Sequence, residues 1–432
     1  MVIYFYIEGG KVMIATHIIR KYLVVGIILL FVGTCIIPSA ISEQTHGKKI
    51  ITVDDEPGDA DYTSIKEAVN HSTPGTIIEI YSGTYDEQKI MIMVHNLTLK
   101  GIPHELGNGN DTGKPVIESS QLNASILLFI NADSFSLLGC ILIGSPWVSS
   151  DIYAESALHM VLSNNDIFHH HSDGYSVHLL SCDYPQILNN TVTTSDNGSS
   201  SGFWIFYCDY ALVQNNTLRN SLGIYVFYSR HCSILSNQVT NTTADAGIQV
   251  EDDEDVSAND TISQNTVTNC SQTGISVNAV NISVMHNHVS NCQTGMEIDT
   301  GNSRIENNTI ERCHFGLNLS CGLGDNNILT SNQVRNNSIG VILHQVGHKI
   351  IQVTRNNFIH NLVQVVVTAV VPVFSNYVFR ENYWNHSLSH PKPVICLGLI
   401  IIWFPPLGLF IGIPLPWVCF DLTPAQHPYE IP

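Results

Sequence analysis

The chain has 432 residues, 44% of them hydrophobic and 13% charged, with 37 acidic against 18 basic side chains and a formal charge of -19. It is too apolar for a disordered polypeptide and too rich in Asn, Ser and Thr for a helical bundle, so it reads as all-β. The acidic balance, with no run of Lys or Arg, argues against a nucleic-acid partner and fits a neutral or cationic one.

In chain order, Lys11, Arg20 and Lys21 precede an apolar run from Tyr22 to Ile37 and a small-residue exit in which Ala40 and Ser42 are placed for cleavage. Residues 1–42 are therefore expected to be a signal peptide. The run is shorter than the ~20 residues a spanning helix prefers, which favours cleavage, with an uncleaved membrane anchor through residues 22–37 as the alternative. Either outcome puts the bulk of the protein outside the cytoplasm, secreted or at the cell surface. Ten cysteines follow Cys35 without a Cys-x-x-Cys pair, so disulfides are permitted by compartment and not demanded by spacing.

Ile50 to Val53 reads as a strand, and the apolar spacing of Ile65, Ala68 and Val69 predicts a capping helix near residues 63–70 with Thr63 as N-cap. Short strands are expected over Thr76–Tyr81, Leu97–Lys100, Pro115–Glu118, Ile126–Ile130 and Phe135–Leu142. From residue 164 a repeat governs the chain. Asn followed two residues later by an apolar side chain recurs at Asn165, Asn190, Asn216, Asn237, Asn265, Asn287, Asn308, Asn332, Asn357 and Asn382, at intervals of 21 to 28 residues. A second beat, Gly-apolar-x-apolar, follows eight of these from Gly174 to Gly340, and Val363 to Val367 replaces it in the ninth coil.

One face of each short strand is apolar, and no coil can bury it alone. Stacking coils at about 4.8 Å completes the core and the backbone ladder together. Asn is expected at a tight corner, where it tolerates left-handed backbone and can bond the Asn one coil away. Glycine is expected at the next corner, for positive φ or close approach.

The blocks Val53-Asp54-Asp55, Asp61 to Val69, Gly75 to Ile80 and Ser82 to Tyr85 resemble the entrance of pectin-lyase-like proteins. The coils resemble the repeats of the NosD-type, carbohydrate-binding and sugar-hydrolase family, and Glu381-Asn382-Tyr383-Trp384-Asn385 resembles the closing segment of its archaeal members. The resemblance spans roughly residues 50–385 and implies a single-stranded right-handed parallel β-helix. For function it implies several classes, since this fold hosts lyases, hydrolases, adhesins and metal-maturation accessories. Residues 386–432 are expected to form a Pro-rich C-terminal cap. Their apolar stretch Val394–Ile413 has the length of a spanning helix, but Pro405 and Pro406 at its centre favour a non-helical flap over a membrane-embedded end.

Residues two and four after each repeat glycine form an outward column: Ser176 and His178, Trp204 and Phe206, Tyr225 and Phe227, Gln249 and Glu251, then on to Glu297 and Asp299. Trp204, Phe206, Tyr225, Phe227 and Gln249 are candidate carbohydrate-binding residues, because ring faces stack on sugars and polar groups bond hydroxyls. Glu251, Asp252, Glu297 and Asp299 are candidate catalytic acids. Glu251 and Asp299, two coils or about 9.6 Å apart, lie near the upper limit for an inverting carboxylate pair. The plainer account is that aromatics favour strands and acids solvate an exposed face. The Asn-Thr-Asp and Gly-His-Gly motifs of polygalacturonases and the Arg-x-Pro-x-x-Arg of pectate lyases are absent.

His169 and His171 alternate onto one side of an extended segment and, with Asp173, are candidate metal ligands; a solvated His-rich turn explains them as well. No cofactor is predicted, and calcium or copper lacks a supporting residue set. Cys270, Cys292 and Cys313 each fall five residues after a repeat Asn, so they stack, and Cys182-Asp183-Tyr184 is echoed by Cys208-Asp209-Tyr210. Asn-x-Ser/Thr sequons at Asn96, Asn123, Asn215, Asn241, Asn281 and Asn385 suit an exported chain. The expected function is a surface or secreted β-helix that binds carbohydrate or a cell-surface glycan. A polysaccharide hydrolase or lyase, and an accessory of extracytoplasmic copper-site maturation, are the alternatives.

Overall fold

Apolar alternation in strands of two to seven residues repeats along almost the whole chain, and each strand buries its apolar side against the coil's other two. The computed structural model describes residues 49–431 other than 88, 108, 121–125, 145–148, 171–173, 195–200, 244, 253–257, 322–325, 346–350, 370–376, 386–391 and 405–408. The signal or anchor segment, His171, Asp173 and Asn123 lie outside the described residues.

Each coil supplies one strand to each of three sheets. The first sheet has 14 strands and opens with Ile50–Val53, the second has 13 and opens with Thr84–Asp86, and the third has 14 and opens with Ile90–Ile92. Neighbours within a sheet come from successive coils and pair in parallel, as Thr217–Arg219 does with Thr191–Thr194 and Gln238–Thr240. This is the right-handed parallel β-helix expected from the repeat. One helix, α1 (Ile65–Asn70), is present among the described residues and buries Ile65, Ala68 and Val69 in the core. Its N-cap is Ser64, one residue later than expected. Ser64 Oγ accepts the Glu67 N–H at 3.2 Å and donates to Glu87 Oε1 at 2.9 Å.

The corner between the first and second sheets holds a buried ladder of side-chain amides. Asn190 Oδ1 accepts both the backbone N–H and the Nδ2 of Asn165, at 3.0 and 3.1 Å, while Asn190 Nδ2 also donates to the Leu162 carbonyl at 2.9 Å. The same arrangement repeats from coil to coil up to Asn382, with each side chain at most 1% exposed. Two expectations need correction. The ninth member is Asn356, not Asn357, because Phe358 is the inward apolar residue two positions on; Asn357 instead exchanges hydrogen bonds with the Tyr429 backbone. The left-handed residue is also not the ladder Asn but the one before it, as at Asn164, Asn189, Asn215 and Ser236 with φ of 57, 55, 56 and 55°. That kink turns the next amide inward. The ladder starts at Cys140, whose N–H donates to Asn165 Oδ1 at 3.0 Å, and ends at Asp421.

The expected strand Phe135–Leu142 is two strands, Ser136–Leu138 and Ile141–Ile143, separated by Gly139 at φ 70° in the corner preceding Cys140. Of the repeat glycines only Gly223 has positive φ, at 111°. The others serve close approach: a Cβ on Gly274 would stand 2.6 Å from the Gly295 carbonyl oxygen of the next coil. In the ninth coil Val363–Ala369 continues the third sheet without the glycine.

After Trp384 the chain forms no helix where described. Lys392–Phe404 pairs in parallel with the preceding third-sheet strand at Val367 to Ala369, then returns antiparallel as Leu409–Asp421. No helix among the described residues is long and apolar enough to cross a membrane.

Candidate functional site

Strand alternation puts every second residue of the third sheet on its outer face, and parallel pairing aligns them into columns. One column runs Phe129, Tyr153, His178, Trp204, Tyr225, Gln249, Ser276, Glu297. A second runs Leu180, Phe206, Phe227, Glu251, Asn278, Asp299. From Trp204 onward these are the columns expected from the glycine frame. One coil earlier the register shifts by two, so His178 and not Ser176 lies beside Trp204, and Ser176 is fully buried.

The rings form a continuous array. Phe129 stacks on Tyr153 with centroids 5.7 Å apart, Tyr153 meets His178 edge-on at 4.9 Å, and Tyr175 bridges His178 and Trp204 at 4.8 and 5.0 Å. Trp204 stacks on Tyr225 at 5.7 Å and contacts Phe227 at 4.8 Å. Beside them Phe206, Tyr207 and Tyr228 make a second group, with Tyr207 52% exposed. Tyr225 plays a different part from its neighbours. It is only 3% exposed and its hydroxyl accepts the Ala246 N–H at 3.3 Å, so it supports Trp204 from below. Burial pushes its hydroxyl up to about 12. Burial also lowers His178 below the usual imidazole value, which favours a neutral ring in the array.

The candidate acids follow on the next coils. Gln249 Nε2 donates to Glu251 Oε2 at 3.4 Å and Asn318 Nδ2 donates to Glu297 Oε1 at 3.5 Å. Glu251 and Asp299 are two coils apart in one column, as the spacing predicts, while Asp252 turns inward and is 6% exposed. Asp252 therefore leaves the outer face. The N-terminal extension through Phe129 and Tyr153 escapes sequence reading because the Asn-Gly frame begins only at residue 164, and Tyr175, an inward position in that frame, joins the array through the register shift.

A separate exposed stack sits at the corner between the third and first sheets. His159, Tyr184, Tyr210 and His231 are spaced 4.9, 4.7 and 4.8 Å, each at positive φ. The Cys-Asp-Tyr echo is its trace in the sequence. The Cys182 and Cys208 side chains fill the core beneath, and Asp183 Oδ1 accepts the Asp209 N–H at 3.0 Å.

His169 lies inside the solenoid, 1% exposed, with Nδ1 bonded to Asp151 Oδ2 at 2.8 Å and no hydrogen-bond partner at Nε2. Burial raises the Asp151 carboxyl and His169 opposes that shift. Cys270, Cys292 and Cys313 are buried free thiols packed beneath Gly247, Gly274 and Gly295, which accounts for their small side chains.

Stacked coils that each give one strand to three parallel sheets define a pectin-lyase-like β-helix. A family model described as "Periplasmic copper-binding protein (NosD)" matches residues 147–321 and 279–396, together more than half of the chain, and the chain belongs to that family. No curated protein sequence matches it. Among solved structures it is similar to the mannuronan C-5 epimerase AlgE6 A-module of Azotobacter vinelandii, at 11% identity over 73% of this chain and 86% of that one, TM-score 0.42. It is also similar to the periplasmic alginate epimerase AlgG, at 14% identity over 72% and 75%, TM-score 0.39. A third is the DFA-IIIase of Arthrobacter chlorophenolicus A6 without its lid, at 12% identity over 79% and 100%, TM-score 0.46. These likenesses carry no chemistry to this chain.

Copper prefers converging imidazole or sulfur donors. Among the described residues, the sets of three that converge are Asp54, Asp55, Glu56 and Glu56, Glu105, Asp111, all carboxylates. His169 by itself offers one imidazole backed by a carboxylate, and the further donors expected from the sequence, His171 and Asp173, lie outside the described residues.

Proposed function

We propose that the protein acts outside the cytoplasm and binds carbohydrate on the outer face of its third sheet, from Phe129 to Asp299. The observation that carries this reading is the unbroken ring array through Tyr153, His178, Trp204 and Phe227, which runs directly into Gln249, Glu251, Glu297 and Asp299. Rings present apolar faces for sugar stacking, and the carboxylates and amide beyond them accept and donate to hydroxyls. The periplasmic description of the family supports the location. Binding to immobilised polysaccharides should weaken at least about tenfold in Trp204→Ala, the size expected for losing a central aromatic anchor. Undiminished binding in that variant defeats the proposal. Sugar release by the wild type that disappears in Glu251→Gln or Asp299→Asn would move the reading to a hydrolase or lyase.

A second reading, an accessory of copper-site assembly, is favoured by the family description and by the Asp151–His169 pair, with His171 and Asp173 as the further ligands. Copper titration of the full chain tests it: stoichiometric uptake lost in His169→Ala together with His171→Ala supports it, and unchanged uptake defeats it.

A further inference from the structure

After first-sheet strands of the opening coils, carboxylates gather that no cation among the described residues pairs with. Asp54 and Asp55 end the Ile50–Val53 strand, Glu56 follows, and Glu105 and Asp111 come from the loop after Thr98–Gly101. The ligand oxygens of Asp54, Asp55 and Glu56 lie within 4.8 Å of one another, and so do those of Glu56, Glu105 and Asp111, with Glu56 common to both sets. Asp54 is 0% exposed, yet neither of its carboxylate oxygens has a hydrogen-bond partner; Asp55 Oδ1 and Glu56 Oε2 are buried without one as well. Among the described residues no Lys, Arg or His makes an ion pair with any of the five.

The surroundings hold these groups in place without satisfying them. Thr84 N–H donates to Asp55 Oδ2 at 3.0 Å, and the N–H groups of Leu106 and Asp111 each donate to Glu105 at 3.1 Å. A Cβ on Gly83 would collide with the Asp55 carboxylate and one on Gly109 with that of Glu105, so glycine at both positions lets the acids close in. A fully buried carboxylate with both oxygens unpartnered, facing two more carboxylates, is unfavourable as an anion unless a cation sits among them.

The geometry points to a calcium site at the entrance of the solenoid, with Asp54, Asp55 and Glu56 as ligands and Glu105 and Asp111 completing it across the loop. Calcium fits because it takes six to eight oxygens in flexible geometry, whereas magnesium demands a near-octahedral set and copper seeks softer donors. Bound there, it would tie the 102–113 loop, already closed by the His104–Thr112 bridge, to the first coil. The site is independent of the carbohydrate reading.

The full chain, stripped with EGTA and titrated with Ca2+, is expected to bind it and to melt several degrees higher with Ca2+ than with EGTA or Mg2+. Tb3+ should bind in the same place with luminescence sensitised by Tyr85, whose hydroxyl bonds the Val53 and Tyr81 carbonyls next to the cluster. Asp54→Asn should weaken Ca2+ at least tenfold. The half-buried Glu56→Gln carries the same expectation should Asp54→Asn fail to fold. Glu297→Gln with Asp299→Asn should keep the full response. Absence of a Ca2+ response in the wild type, wild-type affinity in Asp54→Asn or Glu56→Gln, or loss of the response in the Glu297/Asp299 variant each overturns the proposal.

Discussion

Asp260 is a carboxyl in a place where neighbouring coils use a neutral group. It is 1% exposed, its Oδ1 accepts the Cys232 N–H at 2.7 Å, and its Oδ2 has no hydrogen-bond partner. In later coils the same corner acceptor is Ser303 Oγ and then Asn327 Oδ1. Burial, reinforced by Asp252 and Asp209, pushes Asp260 up to about 8 from 3.8. A folded-state value above the unfolded one means that the stability from holding the proton is complete below about pH 4 and is lost as pH rises through about 8. Melting temperature should therefore fall across that interval in the wild type and flatten in Asp260→Asn; equal slopes would refute the assignment. His178 acts with the opposite sign. Burial depresses it below 6.5, so its contribution is present above about pH 6.5 and lost as pH drops, and His178→Gln should remove that acidic loss. Residue chemistry also explains the abundant sequons. Asn96, Asn215, Asn241, Asn281 and Asn385 all sit at left-handed corners, with φ from 56 to 71°, where Asn is favoured for its backbone tolerance.

Among elements, the amide ladder is the one whose removal should cost most. Asn265 Oδ1 accepts two bonds from Asn237, and Asn265 Nδ2 donates to Ile234 O and Asn287 Oδ1, all buried. Asn265→Ala leaves several buried partners orphaned and should cost about 3–5 kcal/mol in chemical denaturation. Asn356→Ala should resemble it, while Asn357→Ala loses only its two bonds to Tyr429 and should cost about 1–2 kcal/mol, which checks the corrected register directly. Asp421 ends the ladder for a chemical reason. Its Oδ2 accepts the Asn382 N–H, Asn382 Nδ2 and Trp384 Nε1 at 3.0, 3.1 and 3.0 Å, and a carboxylate, unlike an amide, has no donor left to satisfy beyond the last coil.

At the scale of the whole molecule, each coil touches only its neighbours, so stability is a sum of local interfaces. Asp421→Ala should accelerate amide hydrogen exchange in the final coils, Asn356 to Trp384, and leave Thr191 to Thr240 unchanged; acceleration throughout would show a cooperativity this architecture does not predict. The coil pattern was readable because it rests on chemistry repeated at short range: an inward amide, a small residue at a close approach, and alternating apolar side chains. That is why the sequence by itself determined the solenoid, the repeat strands of the second and third sheets and the columns from Trp204 to Asp299, while first-sheet strands such as Val161–Ser163 and Gln186–Leu188, which carry neither the Asn nor the Gly beat, were not legible in it. Tertiary structure alone decided which residues meet across coils of unequal length. Turn lengths and hydrogen-bond pairing, not periodicity, put His178 beside Trp204, Asn356 in the ladder, His169 against Asp151 and the acids of two distant segments around Glu56.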